Sequence, residues 1–338
     1  MSLPPYAVRA GRGAMLEALA DLEPGNTVLV ACSGGADSLA LVATLAFVGP
    51  REGWRTGAII IDHGLQEGSA QVADQTAQTC RNLGIDLVET RAITVPTGSG
   101  HGGPEAAART GRYAALRQLG AELGATTILL GHTMDDQAET VLLGLARGSG
   151  GRSLSGMRDT IGEFRRPFLT LTRAETEQIC AHVGAQYWVD PTNLETGPDA
   201  PLRSQVRGRL LPLMEEILGP SINATLARTA DLLHQDTEAL ELMGTQLLAA
   251  SRVENGPQRT DDCVTLDLAV LAASPRAVRT RTIRAAALAS GAPAGSVTYR
   301  HVVEIDRLVS NWHGQGPVYL PTGITAAREH GTLVFIPR

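Results

Sequence analysis

Six consecutive residues, Ser33-Gly34-Gly35-Ala36-Asp37-Ser38, have the composition of an anion cradle. An apolar run, residues 27–32, precedes them, and residues 39–48 continue as an apolar helix, so the stretch reads as a turn between a buried strand and a helix. The first amides of a helix lack internal partners, and the helix dipole favours negative charge there. Gly34 and Gly35 let the backbone turn sharply and approach a phosphate, and Ser33 and Ser38 add hydroxyls. Asp37 would repel phosphates unless a cation stood between them, which points to Mg²⁺ at that carboxylate. The widespread phosphate loop that carries a lysine is absent. All 29 basic residues of the chain are arginine, so no covalent intermediate forms on a lysine of this protein.

A second chemical stretch, residues 131–140, contains His132, Asp135, Asp136 and Glu139. Asp136 and Glu139 are three apart and share a helix face, where two carboxylates can hold an ammonium group. Capping of the helix N-terminus is the plainer account of either aspartate. Arg203 and Arg207, four apart, present one basic edge or an ordinary solvated face. Asp62 ends another apolar run, where it can reach a ribose or base edge or simply close a turn. Cys32, Cys80, Cys180 and Cys263 are widely separated, with no C-x-x-C, which argues against a zinc site or a disulfide scaffold and suits a reducing cytoplasm.

These residues need a scaffold that gathers strand ends. Strands are expected at 27–32, 58–61, 86–89 and 127–130, alternating with helices at 39–48, 71–83 and 105–123 and with one that the 131–140 stretch opens and that runs through 147. That alternation predicts an α/β fold with a doubly wound, mainly parallel sheet, whose ligands bind beyond the carboxyl ends of the strands. Ser33–Ser38, Asp62 and His132 all fall there. A first helix is expected around residues 14–22, a flexible glycine loop at 148–153 and further helices at 173–182 and from 203. The 338 residues suit two domains, drawn at 1–218 and 219–338. The second is expected to be mainly helical, opening with a long linker helix at 222–248 and ending in short strands. Its helix at 275–288 carries Arg276, Arg279, Arg281 and Arg284, a cluster suited to RNA phosphates or to solvent. The net charge of −6 argues against blanket nucleic-acid binding. No signal peptide is expected, and the longest apolar run is too short to span a bilayer.

The loop S-G-G-x-D-S resembles the pyrophosphate loop of the N-type ATP pyrophosphatases, which implies a PP-loop ATPase fold of the adenine-nucleotide α-hydrolase-like kind. The order of the remaining motifs resembles the tRNA(Ile)-lysidine synthase family. Asp62-His63-Gly64-Leu65, the A-A-R-x-x-R-Y segment at 107–113, H-x-x-D-D-Q-x-E-T at 132–140, R-G-S-G at 147–150, R-P-F at 166–168 and W-x-D-P-x-N at 188–193 carry it, with Arg203 and Arg207 at the end. Ser204 stands where the family usually has asparagine, and the loop between residues 193 and 203 is a few residues longer than the family's.

The resemblance implies ATP and Mg²⁺ as cofactors, and free L-lysine and tRNA(Ile) with a CAU anticodon as substrates. The wobble cytidine would be adenylated at its C2 oxygen and then attacked by lysine. It implies nucleotide binding by Ser33, Gly34, Gly35, Ala36, Asp37, Ser38, Asp62 and His132, with the metal on Asp37. Arg112, Asp136, Glu139 and Arg203 would hold the second substrate, and Asp37, Asp136, Glu139 and Arg207 would carry catalysis, with Asp136 as the base. The expected location is the cytoplasm, off the membrane, and a homodimer is left open. Two other readings stand beside this one. A thiolation enzyme of the same superfamily would commonly use a cysteine pair, absent here. A nucleotide sensor without turnover would need no second-substrate site.

Overall fold

The computed structural model describes residues 3–62, 64, 68–93, 104–148, 150–190, 197, 199–254 and 263–337, with backbone alone at 104–108 and 322. His63, Leu65, most of the glycine- and proline-rich stretch before residue 104, Ser149 and residues 191–193 lie outside the described residues. Two compact units divide the chain, Met1–Leu233 and His234–Arg338. That division falls inside one long helix, 15 residues beyond the line drawn from the sequence.

The first unit begins with α1 (Tyr6–Ala18), β1 (Thr27–Ala31), α2 (Ala36–Val48), β2 (Arg55–Asp62) and α3 (Ser69–Asn82). It continues through β3 (Leu87–Ala92), α4 (Pro104–Glu122), β4 (Thr127–Leu130) and α5 (Met134–Arg147). The short α6 (Gly151–Leu154) leads into a hairpin of β5 (Thr160–Ile161) and β6 (Phe164–Arg165), and α7 (Arg173–Val183) follows. The strand order is β3-β2-β1-β4-β6-β5. Every pairing is parallel except that between β5 and β6. β1 is central, with Val28 opposite Thr56 on one side and Thr127 on the other. Its side chains alternate between faces. Val28 and Val30 join the core formed with α1, α2 and α7, whereas Leu29 joins Leu116, Leu119 and Phe164 on the other face. Helix α2 is apolar nearly all round because it is buried nearly all round. The sheet order reverses between β1 and β4, so the turns after these strands border one crevice.

Three local expectations shift. Helix α1 starts eight residues earlier than the pattern indicated, because Gly11 is a packing residue within it and not a breaker: a Cβ there would lie 2.9 Å from Ile179 Cδ1. The glycine loop after α5 contains one helical turn, α6, packed so closely that a Cβ on Gly144 would lie 2.3 Å from the Ser153 carbonyl oxygen. The segment from residue 202 is α8 (Leu202–Gln205), a π-helical turn (Val206–Leu210) and α9 (Leu211–Leu218), followed by α10 (Ile222–Ser251).

The second unit holds β7 (Val264–Asp267), α11 (Leu268–Ala272), α12 (Arg276–Ala289), α13 (Tyr299–Ser310), β8 (Val318–Tyr319), β9 (Thr325–Glu329) and β10 (Thr332–Ile336). The strands form an antiparallel sheet in the order β7-β10-β9-β8. β7, not anticipated from the sequence, occupies one edge. Its core joins Leu266, Ile283, Ile305, Leu333 and Phe335. The arginine cluster of α12 is largely structural. Arg279 is buried and donates to Asp306 Oδ1 at 2.6 Å and to the Ser274 carbonyl at 2.9 Å. Arg284 donates to the carbonyls of Val297 and Ala294. Arg276 is exposed and Arg281 partly so.

Candidate active site

A cavity of about 500 Å³ opens where β1 and β4 end. Ser33, Gly35, Ala36, Asp37 and Ser38 line it, as do Arg109, Arg112, His132, Asp136, Arg173, Trp188, Arg203 and Arg207. Two glycines shape the entrance of α2 for different reasons. Gly34 has φ +85°, and a Cβ on it would meet Thr76 Oγ1 at 2.4 Å. Gly131 lies against the first turn of α2, where a Cβ would be 2.9 Å from the Ser38 nitrogen. The Ser38 hydroxyl accepts from the Ser33 amide at 3.2 Å and donates to the Gly35 carbonyl at 3.0 Å. Ser38 therefore holds the loop's shape, and the free amides at the start of α2 remain to meet an anion.

Behind the loop, three carboxylates face three guanidiniums. Glu139 is fully buried. Its Oε2 accepts from Arg203 Nε at 2.7 Å, and its Oε1 from Arg207 Nε at 2.6 Å. Asp136 divides its carboxylate. Oδ2 accepts from the Thr133 amide at 2.9 Å and caps α5, while Oδ1 lies 3.5 Å from Arg173 Nη2 and 3.4 Å from Arg207 Nη2. Capping, the plainer account of this residue, is met by Oδ2, while Oδ1 faces two guanidiniums. Asp37 accepts from Thr176 Oγ1 at 2.5 Å and lies 3.5 Å from Arg173 Nε. Asp135 instead joins helices, accepting from the Arg173 amide at 2.8 Å and from Asn223 Nδ2 at 3.1 Å.

The cations beside Asp136 and Glu139 are thus Arg173, Arg203 and Arg207. Arg112, expected there, is half-buried, and its buried Nε lacks a hydrogen-bond partner. Burial lowers its pKa from the ordinary value. A guanidinium whose buried Nε is an unused donor on a cavity wall suits an anionic ligand group.

Burial raises the Asp37 pKa and outweighs the opposing effects of Arg173 and Thr176. Burial also pushes Asp136 upward, but Arg173, His132, the Thr133 amide and Arg203 together bring it below its ordinary value. A carboxylate so stabilised is a poor base for an ammonium, and serves better as its electrostatic partner. Burial lowers His132 to about 3. Its Nδ1 accepts from Arg166 Nε at 3.2 Å, which leaves the proton of the neutral ring on Nε2.

Ten of the thirteen residues singled out from the sequence line the cavity. Gly34 shapes its rim from behind, Glu139 lies beneath the arginines, and Asp62 does not line it. Asp62 Oδ1 accepts from the Gly64 amide at 2.9 Å, as a turn residue does. Arg173, Thr176 and Trp188 carried no chemical assignment from the sequence. The box Thr172-x-x-Glu175 was the legible signal for Arg173, since it places that residue first in α7. The Trp188 amide donates to the Gly34 carbonyl at 2.9 Å, tying a distant loop to the phosphate loop.

Among the described residues, no group of three or more His, Cys, Asp or Glu is arranged to hold a metal. Mg²⁺ needs no such group when phosphates and water fill most of its octahedron, and Asp37 on the cavity wall fits that use. The four cysteines are buried, and burial raises the Cys180 thiol to about 12.

The family described as PP-loop domain matches residues 12–214, and the TilS substrate binding domain matches residues 266–334. The chain is 50% identical over 334 residues to the tRNA(Ile)-lysidine synthase of Thermobifida fusca, covering 99% of each chain. It is 48% identical to the tRNA(Ile)-lysidine synthase of Streptomyces coelicolor, over 91% of this chain and 84% of that one. Among solved structures, the U34-tRNA thiolase NcsA from Methanococcus maripaludis, with its [4Fe-4S] cluster, superposes with TM-score 0.55 at 18% identity. That match covers 68% of this chain and 80% of the thiolase and bears on the fold alone.

Proposed function

The chain belongs to the tRNA(Ile)-lysidine synthase family, and on that premise we propose how its residues divide the reaction between them. It is an ATP-using ligase that forms lysidine on tRNA(Ile). The amine donor is free L-lysine, and the acceptor is the wobble cytidine of a CAU anticodon. That base leaves its stack to enter the cavity, as single-stranded bases can. Its C2 oxygen attacks the α-phosphate of ATP and pyrophosphate leaves. The ε-amine of lysine then attacks C2 and AMP leaves. No helix of the described residues is long and apolar enough to cross a membrane. The family's work on tRNA supports a cytoplasmic reaction.

The amides of Ser33–Ser38 hold the departing pyrophosphate, an electrostatic stabilisation of developing charge. Asp37 would hold Mg²⁺, which supplies positive charge beside the phosphates when bound. Arg203 and Arg207 offset charge at the α-phosphate from a position set by Glu139. Arg112 offers its unused donor to the carboxylate of lysine, and Asp136 offers Oδ1 to an amine. His132, held neutral, donates from Nε2 to a nucleotide acceptor.

The observation that carries this reading is that the phosphate loop and the acid–arginine cluster line one cavity. Single-turnover assays test it. Labelled AMP should appear on the tRNA when lysine is withheld and be discharged when lysine is added. Absence of adenylated tRNA would defeat the proposal. In Glu139→Gln, AMP transfer and lysine incorporation should fall together, because Glu139 positions both arginines. Loss of lysine incorporation alone would instead make Glu139 a direct lysine contact.

A further inference from the structure

The first turn of α7 reaches into the cavity without having drawn a chemical role from the sequence. Thr176, fully buried, donates its hydroxyl to Asp37 Oδ1. Arg173, one turn earlier, lies 3.5 Å from Asp37 Oδ2, 3.5 Å from Asp136 Oδ1 and 4.0 Å from Glu139 Oε1. The turn itself is anchored. The Arg173 amide donates to Asp135, and the box of Thr172 and Glu175 closes the helix start, with Glu175 Oε2 accepting from the Thr172 amide at 2.7 Å. Arg203 and Arg207 grip Glu139 at 2.6–2.7 Å, whereas Arg173 stands at longer range between three acids, its side chain 26% exposed. Its planar fork can address two carboxylates at once, which an ammonium cannot do with comparable geometry.

We propose that this turn is a positioning element: Thr176 and Arg173 orient the Asp37 carboxylate toward the phosphates and hold it in register with Asp136. The proposal rests on the reading above, in which Asp37 meets the metal-bound phosphates. Neither residue is assigned a substrate contact. Their loss should therefore lower turnover without raising the KM for lysine.

The test uses the full chain and two substitutions that keep the charge constant. Thr176→Val removes the hydroxyl and retains the shape, and Arg173→Lys keeps the charge and loses the fork. Mn²⁺ binding in the presence of a non-hydrolysable ATP analogue, read by electron paramagnetic resonance, should weaken at least fivefold in each. Single-turnover AMP transfer to tRNA should slow at least tenfold, with the lysine KM unchanged. Thr176→Ser, which restores a hydroxyl, should recover both properties. Unchanged Mn²⁺ affinity in both variants would overturn the inference if Asp37→Asn weakens it. Unchanged affinity in Asp37→Asn as well would overturn the underlying reading. A rise in lysine KM, or failure of Thr176→Ser to recover, would also overturn the positioning role.

Discussion

His132 shows how one side chain can be read correctly for place and still hide its chemistry. The sequence puts it at a strand end, and the structure puts it in the cavity, held near pKa 3 chiefly by burial and acting as acceptor for Arg166. An unfolded histidine titrates at 6.5, so between pH 6.5 and 3 the unfolded chain binds one proton more than the folded one. Stability from this residue is complete above pH 6.5 and is lost as pH falls, at up to about 1.4 kcal/mol per pH unit. His132→Asn retains an acceptor for Arg166 and cannot titrate. Calorimetry from pH 7 to pH 4 should show a shallower loss of Tm in that variant than in the native chain. Parallel profiles would mean that the ring is charged in the folded state. Asp136 and Glu139 were legible as a pair because three residues of helix place them on one face. Their arginine partners were not all legible, because Arg173 comes from an element 34 residues beyond Glu139 and only the tertiary fold brings it near.

At the scale of elements, β1, β2 and β4 were plain because buried parallel strands read as unbroken apolar runs. β7, as short as β4 but alternating polar with apolar residues as Val-Thr-Leu-Asp, was not, and its place is set by pairing with β10. Glycine misled at Gly11, which packs inside α1, whereas Gly144 lies inside a helix the sequence already indicated and admits α6 against α5. Gly131 belongs to the same class and bears directly on the site. In Gly131→Ala the new methyl would press on the backbone of Asp37 and Ser38, at 2.9–3.0 Å. Overpacking of this kind costs about 1–3 kcal/mol, and here the element displaced is the phosphate-binding end of α2. The variant should lose a few degrees of Tm and show an ATP KM raised about tenfold in pyrophosphate release. An unchanged KM would mean that α2 absorbs the methyl without moving its first amides.

Across the whole molecule, the second unit divides its arginines between structure and surface in a way the sequence did not reveal. Four arginines on one helix read as a single basic cluster, yet Arg279 closes a buried pair with Asp306 and Arg284 ties down the carbonyls of a neighbouring loop. Of this cluster, Arg276 and Arg281 are the members we expect to meet tRNA phosphates. Arg276→Ala with Arg281→Ala should reduce the slope of log K against log salt for tRNA binding by about 1–2, with only a small loss of Tm from the exposed Arg276 contact to Asp306 at 3.7 Å. Arg279→Ala should do the reverse, costing about 3–5 kcal/mol of stability by leaving the buried Asp306 with only the exposed Arg276 at 3.7 Å. Filter binding across a salt series, beside calorimetry, checks both. An intact salt slope in the double variant would move the RNA contact elsewhere.

The balance of Asp37, Asp136 and Glu139 against Arg173, Arg203 and Arg207 also constrains how the site can evolve. Replacing any one member leaves an uncompensated charge, and for the fully buried Glu139 that penalty approaches the whole margin by which a domain is stable. Even arginine to lysine forfeits the two-pronged contact. Single substitutions in this cluster therefore cost stability, and tolerated change passes through paired replacements or begins at Arg112, which has no acidic partner among the described residues.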